Sequence, residues 1–480
     1  MDAIRKVPGS RTSIQALADW SLRDEQAYHT DLVARQARLL VLDSIGCAIA
    51  GTRSDVAAAV LDFVLDSGGA PQCTIIGSHF KTSLTNAVLV NGVKVRCLDL
   101  NDVIFIQKEG KLSVGGHPSD NIAVALSTGE MTGSTLGQAL DAIVVGYQMF
   151  SRLRDVMQFS SLWDGTSSSG LVAAAMAGRL LGLDAKRQAH ALAFAAARCA
   201  NPKAVRWGAL SSVKNMANAL VAQSGVQAAL LAARGLTGPM EVLDHEGGLR
   251  QLFDPALGFE QLWAPPPPTL QVMSANIKTF PCIGTAQALV AAALELAPKL
   301  RGRHGRIRRI EAVMAHLPMI VNQQAELTRK QPRTREDADH SFTFLTAVAL
   351  VEGALTEHQF ADKRWLQPEM RSLTAKVELK TSPEITVRAP DSMPARVEVH
   401  LEGGERLVAE CLYPPGHSFP ERGLDRDVTV GKFRSITDGA LGAAAANDII
   451  SLLLDGPATQ SISALFGKLR SATTQDVRSA

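Results

Sequence analysis

No window of the 480-residue chain reaches about 18 uninterrupted apolar positions, so the sequence gives no ground for a membrane-crossing helix. The opening stretch, MDAIRKVPGSRTSIQALADW, is too polar for a secretory signal. Cysteine pairs are lacking as well. Cys47, Cys73, Cys97, Cys199, Cys282 and Cys411 are scattered, with no C-x-x-C and no metal-ligand spacing to histidine. That pattern fits buried thiols in a reducing compartment better than a disulfide framework or a zinc site, so a soluble, cytoplasmic protein is expected. Charge of one sign is missing too: 49 Lys and Arg against 47 Asp and Glu leave +2, no electrostatic case for nucleic acid or an acidic membrane as partner. No glycine-rich fingerprint follows a strand, no P-loop is present, and no repeat of solenoid period is visible. Small substrates remain, and 46% apolar residues are enough for a sizeable core.

From Ser13 to about Ala233 apolar residues recur at three and four spacing, and Ala and Gly are abundant. The segments Ser13–Leu22, His29–Gly51, Asp55–Ser67, Leu84–Cys97, Ile122–Gly129, Gly137–Leu153, Gly170–Leu183, Ala185–Ala200 and Ser211–Arg234 read as helices. Gly68-Gly69, Asn91-Gly92, Gly115-Gly116, Gly182 and Gly235 read as turn signals between them. Small residues on helix faces allow close approach, which suits an all-helical domain. A run of four prolines, Pro265 to Pro268, then breaks the pattern with a stiff connector. Beyond it Arg309–Leu317, Leu373–Lys380 and Ala395–Leu401 alternate as half-buried strands do. Glu405–Leu412 can pair back on the last of these across Glu402-Gly403-Gly404. The expected fold is mainly α: a large all-helical domain over 1–265, a smaller α+β lid domain over 270–420, and C-terminal helices over 421–480 that return to the first domain.

The stretch from Asn91 to Asn121 concentrates the chemistry. An apolar helical segment ends in Arg96, Asp99, Asn101 and Asp102; a polar, mobile loop follows, and His117-Pro118-Ser119-Asp120-Asn121 opens the next helix. Acidic groups at one helix end then face a histidine at the start of another, a layout suited to proton transfer. The same residue types also serve as caps and turn formers.

With those residues in place the chain resembles the MmgE/PrpD family, and within it the 2-methylcitrate dehydratase-like branch. The resemblance rests on Leu42-Asp43-Ser44-Ile45-Gly46-Cys47-Ala48-Ile49-Ala50-Gly51, Asn91-Gly92 with Arg96 and Asp99-x-Asn101-Asp102, and the His117 motif. Further on it rests on Gly146-Tyr147, Lys214 ahead of Ser224-Gly225, Lys278-x-Phe280-Pro281-Cys282, Ala338-Asp339-His340-Ser341 and Gly416-His417. It implies a homodimer that acts on a small polycarboxylate without metal or organic cofactor: a hydro-lyase, with epimerase or decarboxylase as the alternatives on the same fold, or a non-catalytic binding protein. Asp99 matches the family's site aspartate and is the expected general base, with burial raising its pKa. His117 is the expected acid. Lys278 and Lys214 match family lysines expected to clamp carboxylates, Lys278 being counted with the catalytic groups. Arg96, Asn101, Asp102, Asp164 and His340 complete the expected substrate contacts. Four departures stand out: Val103 where the family has Thr, Asp164 and Ala217 where relatives place His, and Ile283 where a polar group is common. Trp163 and Ile283 point to a more apolar pocket than a tricarboxylate needs.

Overall fold

The structure, a computed structural model, describes residues 11–108, 111–157, 163–198, 200–206, 210–252, 258–389 and 392–472; Cys199 lies outside them. The helices are α1 (Ser13–Leu22), α2 (Asp31–Gly51), α3 (Asp55–Ser67), α4 (Leu84–Arg96), α5 (Ile122–Thr132), α6 (Leu136–Val156), α7 (Ser169–Leu180), α8 (Ala185–Ala196) and α9 (Val213–Ala233). Local chemistry sets their ends. Thr12 and Thr135 each close a capping box with the glutamine three residues on, Gln15 and Gln138. Gly133 ends α5 in the left-handed conformation.

Close packing depends on small residues at the crossings. A Cβ on Gly225 of α9 would lie 2.2 Å from the Gly170 carbonyl oxygen of α7 and 3.0 Å from the Ala173 Cβ. Gly225→Ala must therefore push backbone apart, and is expected to lower stability by about 1–3 kcal/mol, read as a lower urea midpoint at unchanged m-value. By length and composition α9 could cross a membrane. Here it is a core helix, packed on α4, α7 and α8.

The helical region also carries two β-ribbons that periodicity does not reveal. β1 (Cys73–Thr74) pairs with β2 (Lys81–Thr82), and β3 (Ile104–Lys108) with β4 (Lys111–Gly116), both antiparallel. The segment expected to be a mobile loop before His117 is therefore a paired ribbon. Asn91-Gly92 is no turn either: it lies inside α4. The Asn91 amide group there bonds the backbone of Thr74 and Ile76 at 3.0 and 2.9 Å, and Gly92 lets α4 approach Ala219 of α9.

Beyond the prolines one sheet forms in the order β6 (Val377–Thr381), β5 (Ile307–Met314), β7 (Ala395–Leu401), β8 (Arg406–Cys411). β5 and β6 run parallel and the other pairs antiparallel; the hairpin across Gly403-Gly404 has the register Val399↔Leu407. Helices Gln287–Leu300 and Phe342–Glu352 contact this sheet and share its apolar core. The last helices, Arg426–Thr437, Ala443–Leu454 and Ile462–Ala472, insert Phe433, Ile449 and Leu465 into the core of the helical region. The chain is thus mainly helical with a smaller α+β part, as its sequence implies.

Candidate active site

Helix α4 ends at Arg96, and three residues on the backbone turns through Asp99 at φ 50°, left-handed for a residue that is not glycine. Aspartate is among the few residue types that tolerate this conformation. The turn aims its carboxylate into the protein, where it is 1% exposed. Lys214, on the first turn of α9, donates to Asp99 Oδ2 at 3.1 Å. Lys278 donates to Oδ1. It arrives because Val103 and Asn276 pair backbone to backbone at 2.7 and 2.9 Å, which lays the strand carrying Lys278 beside the Asp99 turn.

From the α+β part come Asp339 and His340. Lys214 Nζ also lies 3.4 Å from both oxygens of Asp339, and His340 Nε2 lies 3.5 Å from Asp99 Oδ2 while its Nδ1 bonds Asp339. Arg96 stands close without a tight partner. Its ion pairs to Asp99 and Asp120 are 4.0 and 3.8 Å long, and its Nη1 is buried with no hydrogen-bond partner among the described residues. His117, at the end of β4, bonds the Asp102 carbonyl through Nδ1. A carbonyl only accepts, so Nδ1 carries the hydrogen and the neutral ring keeps its lone pair on Nε2.

The electrostatics correct the expectation for Asp99. Burial would raise its pKa, but Lys214 and Lys278, helped by Arg96 and His340, reverse the sign and hold it well below the usual carboxylate range. In this arrangement Asp99 is the counter-ion of the two lysines. Burial, then Arg96 and Lys278, push the His117 pKa well below the ordinary value, which favours the neutral ring. Burial and Lys214 bring His340 down to about 4. Burial also lowers Lys278, although Asp99 opposes the shift.

A histidine depressed in this way stays unprotonated in the folded protein while the unfolded chain takes up a proton near pH 6.5. Stability is therefore lost as pH falls from about 6.5 towards 4. His340→Gln is expected to remove its own share of that slope and leave that of His117, gaining up to about 3 kcal/mol relative to wild type between pH 7 and pH 4 in paired urea titrations.

The remaining expected contacts divide. Asn101 donates to Ser119 at 2.9 Å and to Asp120 at 2.8 Å. Asp102 accepts from Tyr147 at 2.8 Å and from the Ser119 hydroxyl and amide, and burial pushes its pKa up to about 7. These two brace the floor of the cluster. Asp164 is occupied elsewhere: it caps residues 165–168, accepting from Thr166, and pairs with Arg206 at 2.8 Å. That is helix-end work, and its charge also acts on Arg96. Val103, where the threonine hydroxyl is lacking, lines a small cavity with Phe105, Ile277, Gly284, Met393 and the polar Asn276, Gln287 and His417.

Sequence reasoning named Asp339, Asp120 and Tyr147 only as motif members, and their places in the cluster are new. Asp99, Asp339 and His340 have ligand atoms within 4.8 Å of one another, close enough for a metal ion. The Lys214 ammonium, 3.1–3.4 Å from both carboxylates, already supplies the positive charge a cation would bring, so the residues fit a lysine-filled site better than a metal centre.

Comparison with known proteins agrees with this two-part construction. The chain aligns with the cis-aconitate decarboxylase of Mus musculus at 24% identity over 472 residues, 93% of this chain and 91% of that protein. It aligns with the cis-aconitate decarboxylase of Aspergillus terreus at 23%, covering 88% of each. The mitochondrial 2-methylcitrate dehydratase of Yarrowia lipolytica aligns at 22%, covering 85% of this chain and 81% of that protein. The family model described as the MmgE/PrpD N-terminal domain matches residues 15–261, and that of the MmgE/PrpD C-terminal domain residues 280–455. Between them the two matches leave the short segment that delivers Lys278 to Asp99, and over both of its parts the chain belongs to the MmgE/PrpD family.

Proposed function

We propose that the protein is a lyase that removes carbon dioxide from a small polycarboxylic acid, without an organic cofactor. The observation that carries this reading is the buried cluster itself: two lysines share one aspartate, beside an arginine whose Nη1 has no hydrogen-bond partner among the described residues. Arg96 suits a substrate carboxylate that stays on the molecule, because a guanidinium grips a carboxylate through two N–H groups. As the bond to the departing carboxylate breaks, its electron pair spreads onto the carbon and the neighbouring carboxylate. The ammonium groups of Lys214 and Lys278 stabilise that charge, and Lys278, made more acidic by burial, returns a proton to the carbon. Carbon dioxide leaves, and solvent reprotonates the lysine.

Dehydration was the first expectation from the sequence, and two things move the proposal away from it. His117, the residue expected to protonate a departing hydroxide, is pushed towards its neutral form, and so is His340, which leaves Lys278 as the proton donor and the carbon left by carbon dioxide as the acceptor proposed for it. The decarboxylases of Mus musculus and Aspergillus terreus also align over 93% and 88% of this chain, against 85% for the dehydratase. One observation favours a second reading. The lone pair on His117 Nε2 suits proton abstraction next to a carboxylate, the first half of an epimerisation or dehydration.

The test is a panel of di- and tricarboxylic acids, first by thermal shift, since a ligand of the native state raises apparent stability by mass action. Acids that shift the midpoint are then followed in D2O. Release of carbon dioxide with one deuterium on the product carbon supports the proposal. Deuterium exchange without net turnover supports the epimerase, a new alkene without carbon dioxide supports the dehydratase, and no response to any acid overturns all three.

A further inference from the structure

The turn that presents Asp99 is gripped from outside by two cationic side chains that no step of the chemistry uses. Beyond the end of α4 the carbonyls of residues 97, 98 and 100 have no helical partner, the ordinary condition of a helix C-terminus. Arg335, from the α+β part, donates to the Cys97 oxygen at 3.1 Å and lies 3.5 Å from that of Leu98. The same guanidinium holds Asp339 at 3.1 Å and is itself fixed by Glu357 at 2.9 and 3.0 Å. Lys432, from the helix Arg426–Thr437, reaches through the core to the Leu100 oxygen at 2.7 Å, with its charge balanced by Asp43 of α2 at 2.5 Å. Asp43 belongs to the Leu42–Gly51 segment that marked the family likeness, and the proposed chemistry gives it no task.

We infer that Arg335 and Lys432 are positioning residues: together they hold the carbonyls on both sides of Asp99, and so fix the left-handed turn that sets its carboxylate between Lys214 and Lys278. The physical case has three parts. A positive φ at a residue with a Cβ persists only where its surroundings over-determine it, and here carbonyls on both sides, of Cys97 and Leu98 before it and Leu100 after it, are held by charge-assisted bonds. Cations at a helix C-terminus also complement its dipole. Finally, the two grips come from segments far apart in the chain, so the turn is set correctly only when the α+β part and the C-terminal helices are both seated. Arg335 further couples the turn to Asp339, which orients His340 and shares Lys214.

This inference rests on the reading of Asp99 as the group that holds the two lysines, and its first test does not need a substrate. Hydrogen exchange followed by mass spectrometry on the full-length chain compares wild type with Arg335→Gln and with the double variant Asp43→Asn/Lys432→Met. The double variant removes both buried charges together, so that neither is left alone. The expected result is exchange about tenfold or more faster in peptides spanning 97–103, with α7 and α9 unchanged. Unchanged exchange across 97–103 overturns the inference, as does a uniform rise over the whole chain.

The second test uses any polycarboxylate that the protein turns over. Each variant should lower kcat about tenfold or more with little change in KM, and should add almost nothing to the loss caused by Asp99→Asn, because residues acting through one group are not additive. A further, multiplicative loss in the Asp99→Asn background overturns the inference. Should no acid be turned over, the functional reading fails while the exchange result still decides this one.

Discussion

Asp99→Asn is expected to cost about 3–5 kcal/mol of stability at neutral pH and to lower turnover a hundredfold or more. The carboxylate is buried between two ammonium groups, each 0% exposed at the side chain, and its loss leaves them facing each other with Asp339 as the remaining close anion. An amide matches the shape but not the charge. The effect has a characteristic pH dependence. Because the folded pKa of Asp99 lies well below its unfolded value, its stabilising contribution is complete above about pH 4 and is lost as pH falls through the folded pKa. The gap between the wild-type and Asp99→Asn curves should therefore be widest near neutrality and close in acid. On the alkaline side the variant should behave differently again. Burial already lowers the Lys278 pKa, and without Asp99 to oppose it the shift deepens. A lysine left neutral in the fold but charged when unfolded makes stability rise with pH up to about 10.4. Urea midpoints measured from pH 2 to pH 10 for both proteins check both limbs, and an offset that stays constant down to pH 2 would contradict the counter-ion role.

The sequence made some of this legible and hid the rest, for reasons that separate cleanly. The hairpin across Gly403-Gly404 and the helices up to Ala233 could be read because period and turn chemistry are local. The ribbon before His117 could not: its paired strands close on themselves over few residues and resemble a polar loop. At the site, Arg96, Asp99, His117, Lys214, Lys278 and His340 were all singled out, and all come together. What failed was the sign of the Asp99 pKa. Burial alone would raise it, and the lysines that reverse it lie 115 and 179 residues away in sequence. Asp339 reads locally as a helix-end residue and Lys432 as a lysine on an ordinary helix; only tertiary packing gives either a place near Asp99. Asp164 reads from sequence like any site acid, whereas the structure shows it capping residues 165–168 and paired with Arg206.

Lys278 gives the sharpest separation between binding and chemistry. Lys278→Met is expected to lower kcat by about 10²–10⁴, the usual range for a positioned acid, and to destabilise the fold by removing one of the two charges on Asp99. With that lysine gone, burial of Asp99 is less well opposed and its pKa moves upward. As that pKa moves towards the unfolded value, the stability Asp99 contributes above about pH 4 shrinks, and less of it is lost in acid. The acid limb of the stability curve should thus flatten. Lys278→Arg is the informative partner. Arginine keeps the positive charge, so Asp99 stays ionised and KM should hold within a few-fold, but a guanidinium with pKa above about 12 is a poor proton donor. If Lys278 only clamps a carboxylate, arginine restores most of kcat. If it returns the proton to the substrate carbon, kcat stays low in the arginine variant although binding recovers, and the deuterium label in the product falls with it. The proposal requires the second outcome, because the neutral imidazoles of His117 and His340 leave the ammonium groups as the acids of this cluster.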